Sequence, residues 1–107
     1  MTQSRRGDIL DDPDAIRKSV GENMSKQIPR LTACYDQRLK TVPDLRGRWR
    51  IKFTVTKDGR VKNAAASGLQ AQDGEFEACL SREVAKWKFE RMVREQPVQR
   101  TLRFQPS

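Results

Sequence analysis

Residues 48–55 have the sequence RWRIKFTV, in which large apolar residues alternate with basic or polar ones. A period of two is typical of a β-strand that is buried on one face, because successive side chains point to opposite sides. The apolar face consists of Trp49, Ile51, Phe53 and Val55. Asp58-Gly59 follows, and this pair tolerates the positive φ angles of a tight turn. The stretch therefore predicts the first half of a β-hairpin.

The return strand of this hairpin is expected from Arg60 to about Ser67. Its inward side chains are Val61, Ala64 and Ala66, and the change from odd to even numbers indicates a β-bulge. The outward face of the hairpin is basic. Its cations are Arg48, Arg50, Lys52, Arg60 and Lys62.

Upstream of the hairpin, Asp12-Pro13 predicts a helix start with an Asp cap and Pro in the first turn. Apolar residues then recur in steps of three and four, which indicates an amphipathic helix. They are Ile16, Val20, Met24, Ile28, Leu31, Tyr35 and Leu39. Pro29 lacks an N–H and clashes with the preceding turn, so a kink or break is expected near residues 26–28. Residues 1–11 have no periodicity and are expected to form a disordered tail or linker.

Downstream of the hairpin, a second amphipathic helix is expected over residues 74–87 and a third strand over residues 98–104. The helix stripe is Phe76, Cys79, Leu80, Val84 and Trp87. The order is therefore helix, strand, strand, helix, strand. One apolar sheet face has to be covered, so we expect a two-layer α+β sandwich in which both helices lie on the same side of a three-stranded sheet.

The composition excludes several classes of site. Among 107 residues there is no histidine and there are only two cysteines, so the chain has no Ser-His-Asp triad, no His-ligated metal and no four-thiolate zinc site. The one carboxylate cluster, Asp11, Asp12 and Asp14, is explained by helix capping. We therefore expect that the protein is not an enzyme and that it binds no cofactor and no metal. No window is apolar enough to insert into a membrane.

Cys34 and Cys79 both fall on the apolar stripes of the predicted helices, so the two side chains could meet if the helices lie side by side. The pattern alone leaves two interpretations open. One is a disulfide formed in an oxidising compartment. The other is a pair of buried free thiols, which is common in cytosolic cores.

The formal charge of +8 leaves the role of the basic hairpin face open. Basic sheet faces bind single-stranded RNA when aromatic side chains on them stack with bases. Here Trp49 and Phe53 share the phase of the buried residues, so we do not expect a nucleic-acid partner. The alternatives are a solvated face and an anion-binding surface for an acidic cell-wall polymer or lipid head groups.

Several short motifs, taken together in their order and spacing, resemble a TonB-type C-terminal domain and more narrowly its AgmX/PglI C-terminal branch. They are Cys34-Tyr35, the loop from Pro43 through Leu45 to Gly47-Arg48, Asp58-Gly59-Arg60-Val61, Cys79, Trp87-Lys88-Phe89 and Phe104. The resemblance runs from about Asp12 to Phe104, and the domain is expected over residues 12–107. The chain departs from the family pattern at Glu90, where proline is usual, and at Arg100, where an apolar or aromatic residue is common.

The resemblance implies a periplasmic C-terminal domain of an inner-membrane-anchored protein in Gram-negative bacteria. Such proteins couple a proton-driven inner-membrane motor, reached through the upstream region, to outer-membrane proteins in transport or gliding motility. The family fold is two helices on a three-stranded antiparallel sheet. The oxidising periplasm also favours the Cys34–Cys79 disulfide.

In the family, the last strand lies at a sheet edge and takes up an extended partner segment by β-strand addition. The resemblance therefore implies a binding strand in this chain. It consists of Val98, Gln99, Arg100, Thr101, Leu102, Arg103 and Phe104. Arg100 and Arg103 would favour an acidic segment of an outer-membrane or periplasmic protein. An exposed edge also permits a strand-swapped homodimer.

Overall fold

The computed structural model describes residues 9–106 of the chain. Its elements are α1 (Pro13–Gln27), a 3-10 turn (Ile28–Arg30), α2 (Leu31–Leu39), β1 (Gly47–Val55), β2 (Val61–Gly68), α3 (Gly74–Ala85) and β3 (Gln96–Phe104). The strands form one antiparallel sheet in the order β2-β1-β3. The predicted α+β fold, with helices on one face of a three-stranded antiparallel sheet, is confirmed.

The first helical region begins and breaks where the sequence predicts. The Asp12 side chain accepts a hydrogen bond from the Ala15 N–H at 3.0 Å, which caps α1. The helix ends at Gln27, and Pro29 lies in the 3-10 turn that separates α1 from α2. A tighter turn accommodates the missing proline N–H, so the chain remains helical and changes direction there.

The core lies between the helices and the inner face of the central strand. Trp49, Ile51 and Val55 are fully buried and Phe53 nearly so, while Arg48 and Lys52 are exposed. The two amphipathic regions cover this face with Ile16, Val20, Met24, Leu31, Phe76, Leu80 and Val84. The buried face of β1, which has a period of two, and the apolar stripes of the helices, which have a period of three to four, therefore pack together in one apolar cluster.

The hairpin turn packs against the segment that follows α3. Gly59 has φ +85°, and a Cβ at this position would lie 2.2 Å from the Phe89 carbonyl oxygen. The Gly59 carbonyl accepts a hydrogen bond from the Phe89 N–H at 2.8 Å. Glycine is therefore required both by the backbone conformation and by this close approach. The predicted bulge is also present, because the β1–β2 register shifts between Lys52 and Thr54 and Asn63 has φ +57°.

The helix that packs on the hairpin ends earlier than its apolar stripe suggests. α3 ends at Ala85, two residues before Trp87, in a tightened turn in which the Trp87 N–H donates to the Val84 carbonyl at 3.0 Å. Trp87 is nonetheless buried, edge-on to Phe53 with 5.8 Å between ring centroids. The apolar stripe of α3 therefore continues beyond the end of the helix, because the indole of Trp87 is positioned by its packing in the core and not by helical geometry.

The tail predicted over residues 1–11 falls mostly outside the described residues. Within them, Leu10 forms a parallel bridge with Met92. Its N–H donates to the Arg91 carbonyl, and its own carbonyl accepts from the Val93 N–H. The backbone at Leu10 is therefore tied to the segment between α3 and β3.

A disulfide and ion pairs join α2 to α3, and Arg38 of α2 also lies 3.2 Å from the Glu75 carboxylate of α3. The disulfide links Cys34 and Cys79, with a Cα–Cα distance of 5.8 Å across 45 residues of sequence. This decides between the two interpretations that the pattern left open. In the second ion pair, the Arg38 guanidinium donates to both carboxylate oxygens of Asp73 at 3.0 and 3.1 Å. Asp73 also caps α3 by accepting from the Phe76 N–H at 2.8 Å.

The disulfide should contribute a large part of the stability of this small domain. Closing a loop of this length restricts the unfolded chain and stabilises the fold by about 4 kcal/mol. We predict that the double variant Cys34→Ser/Cys79→Ser loses about that much in urea unfolding, and that reductant produces a similar loss in the wild-type protein. Reductant should leave the double variant unchanged. A wild-type protein with equal stability in oxidant and reductant would contradict this.

The Arg38–Asp73 pair makes stability depend on acid pH. Burial of the Asp73 carboxyl raises its pKa, but hydrogen bonds from Arg38 and from the Phe76 N–H outweigh this, so the pKa lies below its ordinary value. A lowered pKa in the folded state stabilises the protein above the unfolded-state value of about 3.9, and this is lost as the pH falls through the folded-state value.

We therefore predict that Asp73→Asn flattens the loss of stability below about pH 4, the unfolded-state value. Asparagine keeps the helix cap through its one oxygen, and it removes the charge together with one of the two oxygens that accept from Arg38. Urea unfolding over a series of acid pH values measures the slope. Asp44→Asn, at an exposed loop position with no ion-pair partner among residues 9–106, is the matched control and should keep the wild-type slope.

Candidate partner-binding edge strand

The strand that the sequence singled out, residues 98–104, lies at an edge of the sheet. β3 extends from Gln96 to Phe104 and pairs antiparallel with β1 along its whole length. No strand lies on its other side among the described residues. β3 therefore has one row of backbone groups that is not used in the sheet.

The hydrogen bonds of β1 decide which row this is. In an antiparallel sheet, the N–H and C=O of one residue point to the same neighbouring strand, and successive residues alternate. The Arg48 carbonyl accepts from the Leu69 N–H at 2.9 Å, on the β2 side. Even-numbered residues of β1 therefore bond toward β2, and odd-numbered residues bond toward β3.

The register then assigns the backbone groups of β3. Trp49 of β1 lies opposite Leu102, so the even-numbered residues of β3 bond inward to the sheet. The amides and carbonyls of Gln99, Thr101 and Arg103 point away from it. Pro97 belongs to this same outward row, which explains why a proline is accommodated within the strand.

The side chains of β3 divide between the two faces of the sheet. Val98, Leu102 and Phe104 are partly buried against the core, whereas Gln99, Thr101 and Arg103 are exposed on the outer face. Arg100 shares the phase of the core residues and projects on the helix side. The two arginines that the sequence assigned to one binding strand thus lie on opposite faces.

Aromatic contacts hold the end of the edge strand in place. The Phe104 ring lies 5.0 Å from that of Phe76, 5.2 Å from that of Tyr35 and 6.1 Å from that of Trp49, measured between centroids. The Tyr35 hydroxyl donates to the Leu45 carbonyl, and burial raises its pKa above the ordinary value. A strand fixed in this way presents its outward amides without much further loss of conformational freedom.

A groove of about 710 Å³ runs between helix α1 and the edge strand. It is lined by Arg17, Lys18, Gly21, Glu22, Ser25, Lys26 and Arg100. Arg100 is the β3 contribution, and the other residues belong to the side of α1 that does not face the core. The groove thus lies on the helix side of the position that a fourth strand would occupy. Sequence reasoning missed it, because periodicity does not reveal where α1 lies over the sheet.

The outer face of the sheet is basic, with a different membership from the one predicted. Arg48 lies directly opposite Arg103 of β3, which joins the cations of β1 on this face. Lys62 is paired with Glu95 at 2.8 Å, and Arg60 precedes β2 with its guanidinium 3.9 Å from Asp58. The remaining cations, which have no acidic partner within 4 Å among residues 9–106, are Arg48, Arg50, Lys52 and Arg103.

Arg50 lies at the centre of this face, opposite Ser67 of β2 and Thr101 of β3. Its Nε is buried and has no hydrogen-bond partner. A buried donor without a partner is costly, and the cost is greater for a charged group.

No helix within the described residues is long and apolar enough to cross a membrane. Compared with known proteins, the chain matches no protein-family model, and no curated protein matches it. The resemblance to TonB-type domains therefore depends on the motifs quoted above, and the function has to be argued from the geometry of the edge strand.

Proposed function

We propose that this chain is a periplasmic, non-enzymatic TonB-like C-terminal domain of an inner-membrane-anchored protein that acts in transport or gliding motility. It holds an extended segment of an outer-membrane or periplasmic partner by accepting it as a fourth strand beside β3. Main-chain hydrogen bonds supply the affinity in this mode of binding, and side chains on the two faces supply the selectivity.

The observation that carries the proposal is the row of outward backbone groups at Gln99, Thr101 and Arg103. They lie on a nine-residue edge strand that is anchored to the core on its other side. Exposed edges of this length are usually shortened, bulged or covered, because they invite unwanted pairing. β3 carries Pro97 and the exposed charges of Arg100 and Arg103, and these leave the outward backbone groups of Gln99, Thr101 and Arg103 unpaired within the described residues. A nine-residue edge of this kind supports a role in accepting another strand.

The disulfide supports the compartment named in this proposal. Cys34 and Cys79 are joined, and disulfides persist in oxidising environments such as the bacterial periplasm. The motifs that resemble the TonB-type family support the same compartment. The two arguments share Cys34 and Cys79, which form the disulfide and also belong to the motifs of the resemblance.

A proline in the outward row should abolish binding without unfolding the domain. Thr101→Pro removes an amide that makes no bond to β1, and Pro97 already occupies an equivalent position. Peptides of the length of β3, selected from a displayed random library for binding to the wild-type protein, serve as probes. We predict that Thr101→Pro loses their binding while its urea unfolding stays within roughly 1 kcal/mol of wild type.

Arg100→Pro is the matched control, because its amide points inward to β1 and its loss should destabilise the fold by roughly 1–3 kcal/mol. Amide hydrogen exchange locates the peptide on the protein. Bound peptide should slow exchange at Gln99, Thr101 and Arg103, while Leu102 should already be protected in the free protein. Peptide binding that survives Thr101→Pro, or that leaves these three amides unprotected, would refute strand addition at β3.

A second function, the binding of an acidic polymer on the outer sheet face, is favoured by cations that have no acidic partner within 4 Å among residues 9–106. Arg48, Arg50 and Lys52 project from one strand at intervals of two residues, about 7 Å apart. Such a row of cations complements the repeated carboxylates of a linear acidic polymer. Contacts of this kind are screened by salt, unlike the main-chain bonds of strand addition.

The triple variant Arg48→Gln/Arg50→Gln/Lys52→Gln should bind polygalacturonate about tenfold more weakly than wild type at low salt, a change worth about 1.4 kcal/mol. Isothermal titration at two ionic strengths measures this. Arg30→Gln/Lys40→Gln/Arg82→Gln removes the same charge from exposed positions elsewhere and is the matched control. Equal weakening in both triple variants would show that net charge, and not this face, attracts the polymer.

A further inference from the structure

We propose that the groove between α1 and β3 recognises acidic side chains of the strand that adds to β3, an inference that rests on the function proposed above. Alternate side chains of an added strand face the helix side, because successive residues of a strand point to opposite faces. The groove occupies the space into which these side chains would project. The groove therefore determines which segments bind well beside β3.

The charge of the groove determines what it selects. Four of its seven lining residues are cationic and one, Glu22, is acidic, so the lining carries a net charge of +3. Arg17 is paired with Asp14 on the helix surface. Lys18, Lys26 and Arg100 have no acidic partner within 4 Å among residues 9–106. These three cations flank the groove from both of its walls and complement an acidic segment.

The outer face is less suited to the same task. There β3 itself contributes only one cation, Arg103, beside the uncharged Gln99 and Thr101. The cations of β1 lie two strand spacings from an added strand, about 10 Å away. Acidic side chains of the partner therefore gain more on the helix side.

The spacing of the groove predicts the pattern of the partner. Lys18 and Lys26 are eight residues apart on α1, a rise of about 12 Å. Four residues of an extended strand cover about 13 Å, so two acidic residues four apart in the partner match this rise where the added strand runs alongside α1. Glu22 lies between the two lysines and disfavours a third acid at the middle position. Gly21 leaves that part of the groove open, since a Cβ there would touch nothing within 4 Å.

Two peptides of equal composition and of the length of β3 test this pattern. Each contains threonine and two glutamates, placed four residues apart in the first, on one face of the strand, and three apart in the second, on opposite faces. Fluorescence anisotropy measures affinity, and amide exchange at Thr101 reports strand addition separately. The first peptide should bind the wild-type protein more tightly, by about tenfold.

Two variants locate the glutamates. Arg100→Gln removes a groove cation, and Gly21→Met fills the groove without changing charge while favouring the helix. Both should weaken the first peptide about tenfold and leave exchange protection of Thr101 at saturating peptide unchanged. Arg82→Gln removes an equal charge from an exposed position of α3 and is the matched control, with little expected effect.

The outcomes separate this inference from the proposed function. Loss of affinity in Arg100→Gln and Gly21→Met, with Thr101 still protected, supports recognition in the groove. Protection of Thr101 with equal affinity for the two peptides, or with equal loss in Arg100→Gln and Arg82→Gln, overturns the groove inference and leaves strand addition intact. Peptide binding without protection of Thr101 overturns both.

Discussion

The central strand β1 is the constraint on which the rest of the molecule depends. Its odd-numbered side chains are buried under the helices, and its backbone is hydrogen-bonded on both sides. Because one strand supplies the middle of the sheet, the other two have to be edges. β2 is next to β1 through a short hairpin, so β3 takes the remaining side and leaves one row of backbone groups open.

A domain with a core this small needs additional contacts to hold its helix layer together. The Cys34–Cys79 disulfide and the Arg38–Asp73 ion pair both join α2 to α3, one covalent and one electrostatic. Helix α1 is attached differently, through its apolar stripe and through Gln27, whose side chain bonds the backbone of Lys88. The side of α1 that faces neither the core nor another helix forms one wall of the groove beside β3.

In the proposed mode of binding, strand addition at β3 supplies the affinity for a partner segment, and recognition in the groove supplies the selectivity. The outward amides are the same for every peptide, so they supply affinity with little choice among sequences. Choice has to come from side chains on the two faces of the sheet, and on the helix face Arg100 lies near the cations of α1. The division of Arg100 and Arg103 between the two faces is therefore important, because only Arg100 shares its face with those cations.

Periodicity along the chain was sufficient to determine the elements, their order and the buried faces, because hydrophobic patterning depends only on which residues neighbour each other in sequence. The break at Pro29 and the bulge beside β1 were also local and were predicted. Ion pairing and register depend on residues far apart in sequence. Only the tertiary structure could therefore pair Lys62 with Glu95, join Cys34 to Cys79 and divide the basic charge between two faces.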